Sequence, residues 1–424
     1  MTTSTGIAEK FESIVGAANV RAAAATDAIV ACQPEYFVSP GTEHELAAIL
    51  AFANETGIAV IPRGGGTKLD WGNPPRRGGI ILSTLRLNRV LEHAWADLTV
   101  TVEAGCTVQA LQNKLGQHGQ RLAVDALWPD RATIGGLLST NDSGVLRLRF
   151  GGLRDLIIGV TLALPDGTLA SSGGKVVKNV AGYDLPKLAT GAFGTLGVIT
   201  RAVFRLHPLP WAASSITCVA NGIPAAQHLI ALLLDSNLAY SALQIRFVST
   251  SEREISIDLL FEGTDSGRVA QIARVNSLAD SIPVSEANSS VWNARENLHS
   301  AAIAASSSSV LLKISARPAD AMNALADLRA MSANPAKLDA VVQATGLGTI
   351  LLKGDADQLR SILEGFRKRM EGTGGSMVIL GNSPATKGLE AWGDPGDAIG
   401  VMRALKKQLD PKDTLNPGRF VGGI

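Results

Sequence analysis

The segment Arg63-Gly64-Gly65-Gly66-Thr67-Lys68 follows the apolar run Ile58-Ala59-Val60-Ile61 and sets three consecutive glycines between a cation and a hydroxyl. Successive glycines can turn their main-chain N–H groups toward one point with no side chain in the way, which makes a concave anion site. Arg63 adds charge at the rim and Thr67 a hydroxyl donor, both suited to phosphate oxygens. About seventy residues on, Ala132-Thr133-Ile134-Gly135-Gly136-Leu137-Leu138-Ser139-Thr140-Asn141-Asp142-Ser143-Gly144 again sets a glycine pair beside hydroxyl and amide side chains. Two such loops could grip one diphosphate from both sides. Taken alone, the triple glycine also reads as an ordinary surface turn.

Two familiar nucleotide motifs are excluded. No G-x-x-x-x-G-K-[ST] occurs, because Thr67 precedes Lys68 and the upstream glycine is missing. Gly191-Ala192-Phe193-Gly194-Thr195-Leu196-Gly197 has the spacing G-x-x-G-x-x-G and precedes a strand-like run, the reverse of the NAD fingerprint. Cys32, Cys106 and Cys218 are far apart and have no histidines at ligand intervals, so they read as ordinary thiols in a reducing compartment and no metal site is expected. Lys+Arg 39 against Asp+Glu 38 leaves a net charge of +1 with no long run of one sign, which argues against nucleic acid as a partner. Charged residues are only 18% and hydrophobic residues 46%, a balance that suits a chain with a protein partner. The N-terminus lacks a signal-peptide order, and apolar runs such as Leu229–Leu234 fall far short of the roughly 20 residues of a membrane span. A cytoplasmic chain, peripheral to a membrane at most through its partners, is the expectation.

A chain of 424 residues is too long for one ordinary core. Of the 44 glycines, 22 lie between Gly64 and Gly197, whereas Ala212 to Glu371 has seven, so the grammar changes near His207-Pro208-Leu209-Pro210-Trp211. The first part has short strands such as Thr99–Val102, an amphipathic helix with Val108, Leu111 and Leu115 on one face, and a hairpin turn at Asp166-Gly167, where both central positions tolerate positive φ. The second part alternates strands near 215–220, 243–248 and 255–261 with helices near 224–234 and 268–278. The order then recurs, with strands near 310–315, 338–343, 349–353 and 377–380 and helices near 319–331 and 358–369. This β-α-β-β-α order, twice over, is that of paired ferredoxin-like units with helices on one face of an antiparallel sheet.

Five segments in order resemble the FAD domain of the vanillyl-alcohol oxidase / para-cresol methylhydroxylase (PCMH) superfamily over roughly residues 30 to 210. They are Arg63–Thr67, Ala132–Gly136, Arg154–Thr161, Lys178-Asn179-Val180-Ala181-Gly182-Tyr183-Asp184-Leu185 and Gly194–Thr200. The tail Leu409-Asp410-Pro411-Lys412-Asp413-Thr414-Leu415-Asn416-Pro417-Gly418-Arg419 resembles the close of FAD-linked 2-hydroxyacid dehydrogenases. The resemblance implies an α+β fold: a two-subdomain PCMH-type FAD-binding domain over 1–211, a smaller domain of ferredoxin-like repeats over 212–381, and a segment 382–424 packing back on the FAD domain. It implies that Arg63, Gly64, Gly65, Gly66, Thr67 and Lys68, with Thr133, Ile134, Gly135 and Gly136, hold the pyrophosphate. Asn141, Ser143 and Gly144 would lie along the flavin or ribityl chain, and Ile199 near the adenosine. Some relatives bond the flavin covalently through a loop histidine. The first loop here has none, and His44 and His93 lie outside it, so non-covalent FAD is expected.

Members that oxidise 2-hydroxyacids carry a His-rich metal site in the second domain, and this chain has six histidines in all. His228 reads as a core or surface residue, and His299 as the end of a helix, where a cation meets the dipole. The size, the Lys175–Asp184 run and the short second domain resemble a family of FAD-binding components of bacterial glycolate oxidases, whose members work with a catalytic flavoprotein subunit and an iron-sulfur subunit. Lys178, Tyr183 and Asp184 are candidates at the isoalloxazine, or else Asp184 caps a helix and Lys178 is solvated. The function expected is an FAD-binding component of a 2-hydroxyacid dehydrogenase complex. The alternative is a non-catalytic assembly component that keeps the flavin fold.

Overall fold

The computed structural model describes residues 4–30, 32–174, 182–249, 254–305, 309–332, 337–381 and 383–424. They form two compact units. The first comprises residues up to Ser143, Gly151–Leu209 and Asp394–Ile424; the second comprises Gly144–Phe150 and Pro210–Gly393.

Among the described residues the first unit holds two small sheets and a two-stranded ribbon that pairs Gln120–Arg121 with His207–Pro208. One has the order Val20–Ala22, Tyr36–Val38, Gly79–Ser83, Ala59–Arg63, with the last three strands parallel. The helix Glu43–Thr56 covers this sheet. Thr42 caps its start by accepting from the Glu45 N–H, Gly57 ends it at φ 72°, and Leu46, Ile49, Leu50 and Ala53 point into the core at helical spacing. The other sheet is antiparallel, in the order Val90–Ala94, Thr99–Glu103, Val198–Arg205, Ile157–Ala163, Leu169–Gly173. Its Val100, Val102, Val160, Leu162, Ala202 and Phe204 pack on the helices Val108–Gly116 and Ile134–Thr140. The Asp166-Gly167 hairpin forms as expected, with Gly167 N–H on the Leu164 carbonyl at 3.0 Å. Only Gly167 takes positive φ, at 87°.

The second unit is one antiparallel sheet of eight strands, in the order Val284–Glu286, Ala213–Asn221, Glu254–Glu262, Ala242–Phe247, Lys337–Gln343, Leu347–Lys353, Ser309–Ser315, Ser376–Leu380. The two β-α-β-β-α units join where Gln244 pairs with Gln343. Helices Ile223–Leu234, Asp265–Ala279, Ala321–Met331 and Ala356–Gly372 bury Leu229, Val275, Leu325 and Phe366 in a common core with Ile216, Cys218, Leu243 and Ile245. The expectation of helices on one face alone needs correcting. On the opposite face Ser215, Thr217, Gln244 and Asp258 are polar, and the turn Ser289–Asn293 lies over them: Trp292 donates to Ser215 Oγ at 2.9 Å, and Gln244 to the Val291 carbonyl at 2.8 Å. The helix Ala294–Ala304 continues from that turn along the strands at 309–315, 337–343 and 347–353.

The segment 383–393 also belongs to the second unit, where Ala385 and Ala391 are core residues. The tail from Asp394 onward belongs to the first. Leu415 lies beside Val60 in a parallel bridge at the free edge of Ala59–Arg63, with Val60 N–H on the Thr414 carbonyl and Asn416 N–H on the Val60 carbonyl. Buried Lys406 fixes the turn by donating to Asp410, to the Thr195 carbonyl and to the Leu415 carbonyl. Among the described residues no helix is long and apolar enough to cross a membrane, and no group of three or more His, Cys, Asp or Glu could hold a metal ion. All three cysteines are buried and free. Burial pushes Cys106 up to about 11 and Cys218 up to about 12, which keeps both as inert thiols.

Candidate functional site

The strand Ala59–Arg63 ends at the glycine loop, and the structure shows why side chains are missing there. A Cβ on Gly64 would lie 2.0 Å from Thr133 Oγ1, and one on Gly65 would lie 1.8 Å from the Arg131 carbonyl oxygen. Only Gly66 needs positive φ, at 70°. Two of the three glycines therefore exist because this loop and the segment 131–133 touch closely, Gly65 main chain to main chain. Among the described residues, the amides of Gly64, Gly65, Gly66 and Thr67 make no hydrogen bond.

The second glycine segment is not a matching loop. Thr133 is the N-cap of the helix Ile134–Thr140, and its hydroxyl accepts from Gly136 N–H at 3.3 Å. Ile134 N–H is bonded to the Cys106 carbonyl and Gly135 N–H to the Ala104 carbonyl. Those amides are already in use. The expectation of bare amides from two loops therefore fails for the second, and Gly135 is small because its Cβ would meet Ala104 Cβ at 2.9 Å.

Both segments nevertheless line one cleft, open to solvent. Arg63, Gly64, Gly65, Gly66, Thr67, Lys68, Thr133, Gly135, Gly136 and Ile199 all contribute to its wall. Ile134 is fully buried in the core and does not. Asn141 closes the helix in the left-handed region at φ 46°, against Gly191, and Ser143 is a buried residue; neither lines the cleft. Gly144 falls in the second unit. Residues given no role from sequence complete the wall: Ser139 and Thr140 from the helix, Phe193 and Gly194, and Asn416 and Arg419 from the tail. Asn416 donates to the Phe193 carbonyl. The tail motif quoted from the sequence contains both tail residues, but nothing local shows that the tail reaches the glycine loop.

The cations near the loop are placed differently from expectation. Arg63 does not stand free at the rim. Its guanidinium donates to Asp27 at 2.9 Å, and Arg21 meets the same carboxylate at 2.6 Å. The Arg21 hydrogen bond, with the Ala24 amide and the charge of Arg63, holds Asp27 down at about 2 against the opposing effect of burial. Lys68 is buried and paired with buried Asp142 at 3.2 Å, its ammonium 5.6 Å from the Trp71 ring and 5.9 Å from the Trp128 ring. Asp142 also accepts from the Leu127 amide. Arg419, 3% exposed, donates to the main-chain carbonyls of Leu69, Trp71 and Asn73, and burial brings its pKa down to about 10.

The other sequence candidates resolve simply. Asp184 caps the helix Leu185–Ala189 by accepting from Lys187 N–H at 3.2 Å, and Tyr183 is 90% exposed. Lys178 lies outside the described residues. His228 is exposed, and His299 is buried in the middle of the helix Ala294–Ala304, not at its end, so the dipole reading of it does not apply.

Residues 34–173 match the FAD binding domain family, and residues 390–420 match the C-terminal domain of FAD linked oxidases. The chain is similar to glycolate oxidase subunit GlcD of Bacillus subtilis, 31% identical over 211 residues that cover 50% of this chain and 45% of that protein. The match thus spans less than half the length of that relative. Similarity to a probable mitochondrial D-lactate dehydrogenase of Danio rerio is weaker and longer, 27% identical over 98% of this chain and 91% of that one. The fold is that of p-cresol methylhydroxylase, whose substrate-bound crystal structure aligns with a TM-score of 0.76 at 14% identity, over 98% of this chain and 96% of that one. The glycine loop lies in the segment that matches the FAD binding domain family, Asn416 and Arg419 lie in the segment that matches the C-terminal domain of FAD linked oxidases, and one cleft brings the two together.

Proposed function

We propose that this cleft binds FAD non-covalently and that the chain is a component of a 2-hydroxyacid dehydrogenase of the glycolate and lactate class, passing electrons to an iron-sulfur partner beside a catalytic flavoprotein partner. The observation that carries the reading is the run of unbonded amides from Gly64 to Thr67, facing a cleft within the segment matched as an FAD binding domain. Main-chain amides in a row suit a diphosphate. Thr133, Ser139 and Thr140 offer hydroxyls beside them, while Val198 and Ile199 offer an apolar wall for an aromatic ring system. Among the described residues, those named in the lining are neither His nor Cys nor Tyr, a set that suits non-covalent binding. When bound, FAD supplies the two-electron acceptor for the substrate's hydride. The substrate class rests on the names of the relatives, a glycolate oxidase subunit and a D-lactate dehydrogenase; the word subunit in the first suits a complex, and the flavoprotein and iron-sulfur partners rest on the sequence resemblance to glycolate oxidase components alone.

A second reading, a non-catalytic assembly component, draws on the second unit. There the buried Asp258 carboxylate is engaged by Arg246, Gln244 and Thr217, and His228 points to solvent. The visible spectrum of the purified chain, followed by anaerobic addition of glycolate or D-lactate, separates the two. Bleaching of bound flavin is expected under the first reading. Flavin that stays oxidised with both acids favours the second, and a colourless chain that takes up no added FAD overturns the first. Iron and acid-labile sulfide in chains co-purified from the native host would test the partner.

A further inference from the structure

Resting on the reading of the cleft as a dinucleotide site, we propose that Lys68 and Asp142 are positioning residues that turn the hydroxyl of Thr67 into a donor for the ligand's diphosphate. Thr67 lines the cleft, and Lys68 follows it in the chain. The Lys68 side chain folds back on its neighbour. Its ammonium lies 3.2 Å from Asp142 Oδ2 and donates to Thr67 Oγ1 at 3.4 Å. Asp142, 1% exposed, also accepts from the Leu127 amide, and the rings of Trp71 and Trp128 stand near the ammonium, so its place is fixed from several directions.

A hydroxyl beside an ammonium presents a lone pair to it and turns its own proton away. No described residue accepts from the Thr67 hydroxyl, so that proton is left for the cleft, and the neighbouring cation strengthens it as a donor. The amides from Gly64 to Thr67, which make no hydrogen bond among the described residues, belong to the same loop. Phosphate oxygens accept only, so amides and hydroxyl suit one ligand group. The Lys68–Asp142 pair is neutral as a whole and gives an anion little direct attraction. Its effect on affinity therefore passes through the hydroxyl, whereas a lysine acting as a direct phosphate ligand would have no need of Thr67.

Competitive titration of the full chain against FAD with ADP and adenosine tests this, since adenosine lacks the diphosphate. Thr67→Val is expected to weaken ADP binding about tenfold and to leave adenosine unchanged, while Thr67→Ser binds both as wild type does. A double-mutant cycle reads the relay. Replacing the pair, Lys68→Met with Asp142→Leu, is expected to weaken ADP binding about threefold in the wild-type chain and not at all in the Thr67→Val background. Equal effects of the pair replacement in the two backgrounds overturn the proposal, because the pair would then act directly or only through the fold. Wild-type ADP affinity in Thr67→Val overturns it too, as do equal losses for ADP and adenosine. If the pair replacement lacks the wild-type far-UV spectrum, Asp142→Asn, which keeps the shape but weakens the hold on the ammonium, is judged by the same cycle. A wild-type chain that binds neither FAD nor ADP brings down the functional reading itself. Wild-type binding with an additive cycle brings down this inference alone.

Discussion

Gly65 shows how a residue chosen for one reason can be required for another. From sequence its lack of a side chain reads as room for a phosphate, but a Cβ there would lie 1.8 Å from the Arg131 carbonyl oxygen, so the first consequence of substitution is separation of two main-chain segments. Gly65→Val is expected to destabilise the first unit by about 3 kcal/mol, the upper end for overpacking, because the obstacle is backbone and cannot rotate away. FAD uptake should fall with it. Thermal unfolding and FAD titration of the variant check both, and unchanged melting would mean that the two segments do not meet as described. Arg63 and Lys68 carry the same lesson. Their types were legible as phosphate ligands, but a carboxylate 36 residues upstream and another 74 downstream decide what they do.

At the scale of elements, the buried Lys68–Asp142 pair ties the end of the glycine loop to the residue that follows the helix Ile134–Thr140 and its Asn141 cap. Asp142→Ala leaves an ammonium buried between Trp71 and Trp128, with a cost of about 3–5 kcal/mol. Replacing both members, Lys68→Met with Asp142→Leu, should recover most of that loss, because no charge is then left buried. Urea unfolding of the single and double variants distinguishes this from a pair that contributes nothing. Element type was largely legible at this scale. The strands and helices of the second unit fall within a few residues of their sequence assignments, since alternation and helical spacing are local properties. The glycine pair at Gly135-Gly136 was misread as a loop because Thr133 is an N-cap whose function appears only when the helix behind it forms.

At the scale of the whole molecule, the chain leaves the first unit at Pro210 and returns to it at Asp394, and the returning tail supplies two residues of the cleft wall. Removing residues 394–424 is expected to weaken FAD binding by about tenfold or more, since it takes away Arg419 together with the hydrogen bonds from Val60 to Thr414 and from Asn416 to Val60. Fluorescence titration of the truncated chain with FAD checks this, and undiminished affinity would exclude the tail from the site. The sequence by itself determined the α+β class, the repeated β-α-β-β-α order and the glycine loop after an apolar strand, because composition, periodicity and turn chemistry act over a few neighbouring residues. Which amides stay unbonded, which cations meet carboxylates and where the tail lies were decided by tertiary structure alone. Those outcomes depend on groups up to 360 residues apart arriving within a hydrogen bond of one another, and no local pattern encodes such an arrival.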